Sequence, residues 1–379
     1  MKCTHILFLL LIVFCLTCCE HEINTPPIND EALSIELIVL DTLNIGFSGY
    51  FNIIDFNSRS GLMLIDDEIL DKMIVCDLKG KIISENSYFG DGFEKFNSPV
   101  RTGGFVNDSV YMLSTNYGYY SYKVDGSYID SWKRSGSLEK IPSNKKMYFS
   151  GSGDNLVAIH TYFSQPSIPN YFGMPQNLWP YEEMKYLSFD SIETNSHEVV
   201  LGLPAEYNLD FFRSFFELVF YLESSTEIIV IFNPLKRIYR YSIEDSISLL
   251  KSTPLEVPTL NDPELLASSP VRNLISSGKF ERILSDSTYY YVLYQPDPEL
   301  IISEEKTDQE LVSEYFKNYS TSLLVLTKDF VVKADIDIPK EYGFLRLMID
   351  QRTFAFSANQ SYYDEEKEGT LYKVKLLID

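Results

Sequence analysis

Cysteine and histidine are scarce in this 379-residue chain. Of its five cysteines, Cys3, Cys15, Cys18 and Cys19 fall at the very start, leaving Cys76 alone in the body. A lone cysteine excludes an intrachain disulfide and a cysteine zinc cluster. Set in Met73-Ile74-Val75-Cys76, it reads as a small buried apolar residue. The histidines beyond the first few residues, His21, His160 and His197, stand at no metal-binding spacing, and no His-Glu-x-x-His helix occurs. A Gly-x-Ser-x-Gly elbow and a phosphate loop are also missing. No catalytic residue, metal or cofactor is therefore expected. Positive charge is short too: 32 Lys and Arg face 54 Asp and Glu, for a net charge of −22. That balance argues against nucleic acid and against adhesion of the protein body to anionic lipid. Beyond the N-terminus, no apolar run is long enough to span a bilayer.

The N-terminus itself carries Lys2, then the apolar stretch Ile6 to Phe14, then Leu16-Thr17-Cys18-Cys19. A short basic region, a short apolar region and a small-residue zone read as a secretory signal covering residues 1–18. The last four residues resemble a bacterial lipobox, with Leu16 in the aliphatic place and Cys19 as the lipid-modified first residue. Cys18 stands where Gly, Ala or Ser is usual, which leaves acylation at Cys18 as the alternative. Residues 19–32, polar and containing Pro26-Pro27, read as a tether. The expected location is the cell envelope, as an outer membrane lipoprotein on either the periplasmic or the surface face.

What is plentiful is aromatic: 27 Tyr and 25 Phe. The apolar residues come in short runs separated by turns, a strand signal. A unit of strands recurs. One copy runs Leu62 to Asp67, Lys72 to Leu78, Lys79-Gly80 and Lys81 to Ile83; the next runs Val110 to Leu113, Tyr119 to Val124, Asp125-Gly126 and Ser127 to Ile129. Asp-Gly is a favoured hairpin turn, since both central positions tolerate positive φ. Weaker copies start near Leu156, Ile228, Tyr290 and Phe354, giving six. Thin sheets of this kind bury their faces by packing radially. The expected fold over residues 33–379 is all-β: a six-bladed β-propeller of four-stranded antiparallel blades, the last closed by an N-terminal strand, Ile35 to Leu40. A pair of packed sheets is the rival.

The first copy, followed by Phe89-Gly90-Asp91-Gly92-Phe93-Glu94-Lys95-Phe96-Asn97-Ser98-Pro99, resembles the repeat of NHL-like and TolB-like six-bladed propellers. With its lipobox, the chain is similar to the TolB-like propeller lipoproteins of Bacteroidota, a family largely of unknown function. The resemblance implies a fold more than an activity.

Three insertions break the repeat. Phe163 to Tyr186 is long, proline-broken and aromatic, and Tyr171, Phe172, Trp179 and Tyr181 are candidates to stack on a sugar or anchor a protein partner. A loop packed by its own aromatics accounts for the same residues equally well. His160 is a further ligand-binding candidate if it faces the channel, and a structurally bonded histidine otherwise. Residues 262–268 and 270–284 read as helical, with Asn261 capping Pro263, and Ser303 to Tyr319 reads as an amphipathic helix. Asp66, Asp67 and Asp71 come nearest to a calcium loop but lack the glycine of its turn. The chain thus reads as a lipid-anchored binding or scaffold protein that touches the membrane through its lipid and a glycan or protein through its loops. The alternative is a lipid-anchored enzyme acting on glycans or peptides at the channel mouth.

Overall fold

The structure, a computed structural model, describes residues 35–378 apart from 45–50, 68, 93, 134–145, 152–155, 162–185, 195, 205–217, 234, 245, 261–277, 298–305 and 359–369. Six four-stranded antiparallel sheets form a ring, a six-bladed β-propeller. Blade 1 comprises β2 (Phe51–Asn57), β3 (Leu62–Asp67), β4 (Lys72–Asp77) and β5 (Ile82–Ser87). Blade 2 comprises β6 (Thr102–Asn107), β7 (Val110–Ser114), β8 (Gly118–Lys123) and β9 (Tyr128–Lys133). Blade 3 holds β10 (Tyr148–Ser150), β11 (Val157–Thr161), β12 (Leu187–Ser191) and β13 (Ser196–Val200). Blade 4 holds β14 (Leu218–Leu222), β15 (Glu227–Phe232), β16 (Arg237–Ser242) and β17 (Ser248–Pro254). Blade 5 is built of β18 (Lys279–Ser285), β19 (Tyr289–Gln295), β20 (Thr321–Thr327) and β21 (Val332–Ile338). Blade 6 combines β22 (Tyr342–Asp350), β23 (Thr353–Ala358) and β24 (Thr370–Ile378) with β1 (Ile35–Asn44) from the other end of the ring. β1 lies antiparallel on β24, Ile35 opposite Ile378 and Asn44 opposite Thr370, so the expected closing strand is in place.

The middle strands owe their largely apolar runs to burial on both faces. Along β19, Tyr290, Val292 and Tyr294 enter the seam with blade 4, while Tyr291 and Leu293 enter the seam with blade 6. Each of the six seams is filled by one such cluster. Complete burial of one large apolar side chain is worth about 1.5–3 kcal/mol, so the seams dominate stability. Cys76 lies in the seam between blades 6 and 1, and burial, reinforced by Asp77, pushes its thiol up to about 12.

The outer strands are guarded against edge-to-edge pairing. β1, β5, β9, β17 and β21 each carry a one-residue bulge, at Leu40, Ile83, Ile129, Leu250 and Lys333. Bulges of this kind spoil the flat edge another strand would need.

Sequence reading of residues 270–284 as a helix is corrected: Lys279–Ser285 is the strand β18. A bulge between Phe280 and Arg282 inserts one residue, so the buried Phe280 and Ile283 stand three apart instead of two. That spacing imitates a helical face. The 262–268 expectation lies outside the described residues. The helix within residues 303–319 is present as α1 (Asp308–Lys317), opened by a capping box between Thr307 and Glu310.

The connections divide by length. In an antiparallel blade the turns joining first to second and third to fourth strands share one face of the ring, and all other connections share the opposite face. On the first face every described turn spans two to six residues; on the second, seven connections span 11 to 25 residues, including 162–186 and the α1 segment 296–320. Because β1 starts opposite the end of β24, residue 35 enters the ring on the tight-turn face.

Candidate functional site

β2, β6, β10, β14, β18 and β22 each form one edge of their blade. Neighbouring pairs of them, β2 with β6 and β22, β6 with β10, and β14 with β18, touch across the blades, which identifies them as the strands around the central axis. These inner strands break the apolar rule of the middle strands. Asp55, Tyr148, Tyr221, Arg282 and Arg346 lie on them, and Lys146 stands just before β10.

Backbone irregularity puts the charges there. Asp55 follows the bulged Ile54, Arg282 follows the bulged Glu281, and Arg346 is itself the extra residue between Leu345 and Leu347. A bulge bends the strand and re-aims the following side chain. Gly104 supplies a second condition: a Cβ there would overlap the carbonyl oxygen of Met147. Its absence lets the segment leading into β10 approach β6, with Met147 N donating to Gly103 O at 2.7 Å and Lys146 bridged to Gly103.

Lys146 is thereby set against Asp55, with Nζ to Oδ1 at 2.8 Å. The other carboxylate oxygen accepts from Phe105 N at 2.8 Å. Lys146 Nζ also stands 4.7 Å from the centre of the Tyr148 ring, a cation–π contact. Burial works against the charge on Lys146, but Asp55 and Tyr148 outweigh it, and the ammonium is held above the usual lysine value. With 31 % of its side chain accessible against 8 % for Asp55, Lys146 remains open to solvent.

Tyr148 meets Tyr221 edge to face, ring centres 6.2 Å apart, and Tyr221 bonds to Ser285. Burial raises both phenols, so both stay protonated at neutral pH. Arg282 reaches across to blade 6, donating from Nη1 to the carbonyl of Arg346. Burial opposes its charge, while Tyr148, Glu281 and Asp55 support it. Glu281 accepts from Tyr319 Oη at 2.8 Å, which ties the cluster to the end of the α1 segment. Arg346 stands beside Tyr319 and spans to the Phe51 ring, 5.9 Å away.

His160 lies elsewhere. It is wholly buried on β11, its Nε2 3.3 Å from Tyr119 Oη of blade 2 and 3.3 Å from Asp190 Oδ2 of β12, and its Nδ1 3.0 Å from Thr161 O. Asp190 also accepts from Tyr119 and Ser188. The group staples blades 2 and 3 together within the ring. Tyr171, Phe172, Trp179 and Tyr181 lie outside the described residues, as does Cys19. Asp66 takes the hydroxyl of Tyr88, and Asp67 caps the backbone of Ile69 and Leu70 at 3.1 and 2.9 Å; both are engaged in holding blade 1. A crevice between blades 1 and 2, lined by Met73, Tyr88, Phe96, Tyr111 and Tyr122, has room for little more than a water.

The channel cluster was not foreseen from sequence, although a signal exists. Asp55 interrupts Phe51-Asn52-Ile53-Ile54-Asp55-Phe56, and Arg346 interrupts Phe344-Leu345-Arg346-Leu347-Met348. A lone charge inside an apolar strand marks a position where the strand stops being interior.

No family model matches the chain, and no curated protein matches it in sequence. Solved structures do match in shape. A member of the DUF4221 family from Bacteroides vulgatus superposes with a TM-score of 0.67 at 12 % identity, over 92 % of this chain and 99 % of that one. A candidate exported protein from Bacteroides fragilis gives 0.52 at 10 % identity, over 93 % and 96 %. Among the described residues no helix is long and apolar enough to cross a membrane. At these identities the likeness is one of fold: the chain is a six-bladed β-propeller similar in architecture to Bacteroides propeller proteins.

Proposed function

We propose that this protein is an exported, lipid-anchored binding propeller of the cell envelope, related in kind to the TolB-like lipoproteins, that meets its partner on the face bearing the long connections. One observation carries the reading: the two faces are built unequally, and the chain joins the ring on the plain one. Reaching from a lipid on Cys19 through residues 20–34, the chain arrives at the tight-turn face, which leaves the long connections outward. Long surface connections are where binding residues concentrate. The likeness to a candidate exported Bacteroides protein agrees with this location.

An enzyme acting on glycans or peptides would want converging acid and base groups at the channel. Asp55, the carboxylate at the heart of the described cluster, is engaged by Lys146 and Phe105 N. Such an arrangement holds charge more readily than it moves protons.

A glycan and peptide array probed with wild-type and Trp179→Ala protein tests the loop. Signals lost in the variant support it, and equal signals from both sink it. Cys19→Ala protein is expected to take up no radiolabelled palmitate, whereas Cys18→Ala protein is expected to be labelled normally.

A further inference from the structure

We infer that the central channel holds a binding site for the carboxylate of a small organic anion, formed by Arg282, Tyr148 and Lys146. The inference rests on the reading of the protein as a binding propeller, but not on the loop 163–186.

Three features carry it. Charge is the first. In a chain of net charge −22, Lys146, Arg282 and Arg346 stand together among the described inner-strand residues, with Asp55 and Glu281 beside them.

Unused donors are the second. Among the described residues Arg282 forms no ion pair with a carboxylate and makes a single hydrogen bond, from Nη1 to the carbonyl of Arg346. A guanidinium has five N–H donors in a planar fork that matches a carboxylate. The Tyr148 hydroxyl likewise makes no hydrogen bond among the described residues, and being held protonated it is a donor. Both side chains are half-buried, so their unused donors are open to a ligand, and a ligand carboxylate accepts from both.

Construction is the third. Arg282 and Asp55 each follow a bulge, on separate blades, and Lys146 depends on the close approach that Gly104 permits. Asp55 then has a plain role as a positioning residue: it holds Lys146. The Tyr148 and Tyr221 rings, edge to face, make an aromatic wall suited to the ring of an acidic sugar or the side chain of a peptidyl carboxylate.

The test is calorimetric titration of the purified full-length protein, wild type and Arg282→Gln, with glucuronate, N-acetylglutamate, glucose and inorganic phosphate. The expected result is binding of at least one of the two carboxylates, weakened about tenfold or more by Arg282→Gln, with glucose silent and phosphate weaker. Whichever carboxylate binds better identifies the source as sugar acid or peptide. Tyr148→Phe, which keeps the ring, is expected to weaken binding several-fold and serves if Arg282→Gln does not fold. No carboxylate binding, equal binding to the variants, or tighter phosphate binding overturns the site. Trp179→Ala protein separates the two proposals, because it removes array binding if the loop reading holds and leaves carboxylate uptake in place if the channel reading holds.

Discussion

The middle strands and the inner strands of the same blades obey opposite rules. In β19 the residues from Tyr290 to Gln295 are all buried, and β23 is buried from end to end. β2, β18 and β22 are bulged and carry Asp55, Glu281, Arg282 and Arg346. The contrast separates stability from recognition. A strand packed on both faces takes a charge only where neighbours bond it, as at Asp66 and Asp190, whereas a strand bordering the channel can turn a polar group to water and keep its apolar neighbours in the seam. The channel charges therefore sit at bulges, where the backbone departs from regular pairing.

The largest test removes the strand that covers the last middle strand. Deleting residues 35–44 strips β24 of its partner, and we expect the melting temperature to fall by more than about 10 °C; an unchanged value would mean the ring does not depend on closure. Next, Phe354→Ala on β23 opens the seam between blades 5 and 6 and should cost about 3–5 kcal/mol in urea unfolding. A loss below about 1 kcal/mol would erase the distinction between the strand classes.

Gly104→Ala attacks the inner strands. Its methyl meets backbone, which cannot swing away, so about 1–3 kcal/mol of stability should go. Carboxylate binding should vanish with it, because Lys146 loses its station. Tyr148→Phe sharpens the contrast from the other side: its hydroxyl has no partner among the described residues, so stability should move by less than about 0.5 kcal/mol.

Titration adds a smaller, graded test. Tyr111 and Tyr122, buried between blades 1 and 2, are raised above their usual 10.0, first by burial. A phenol whose value is higher in the fold than in the unfolded chain contributes stability that is fully present below pH 10 and lost as pH rises. Unfolding and the 295 nm absorbance of tyrosinate should therefore appear together in strong alkali. Least of all, Cys76, held at about 12 by burial and Asp77, should ignore a thiol reagent at pH 8 until the protein is unfolded.

The same contrast explains what could be read from the sequence. β3, β4, β7 and β15 announce themselves through uninterrupted apolar or aromatic runs such as Met73-Ile74-Val75-Cys76, β8 and β16 through runs broken by one polar residue, and their spacing yields the blade count and the closing strand. Inner strands were mostly invisible. β6 begins Thr102-Gly103-Gly104, which lacks strand character; β10 is three residues long; β18 is disguised by its bulge. Since the channel cluster lies on those strands, it was invisible with them. His160 shows the converse: its residue type suggested a ligand, but the seam around it uses both ring nitrogens within the protein. The aromatics of 163–186 stood out by composition, and composition carries no information about where a side chain points.

Closure by β1 has a consequence for the order of folding. Ile35 pairs with Ile378, so the first strand to emerge must wait for almost the entire chain before it finds its place. Until then the flank of blade 1 carrying Met63, Ile65 and Ile74, which blade 6 covers at the end, stays bare. Five sheets can assemble in sequence as they are delivered, yet the sixth completes all at once. A chain interrupted late in its synthesis would therefore be folded in most of its hydrogen bonds and still adhesive, a natural client for chaperones.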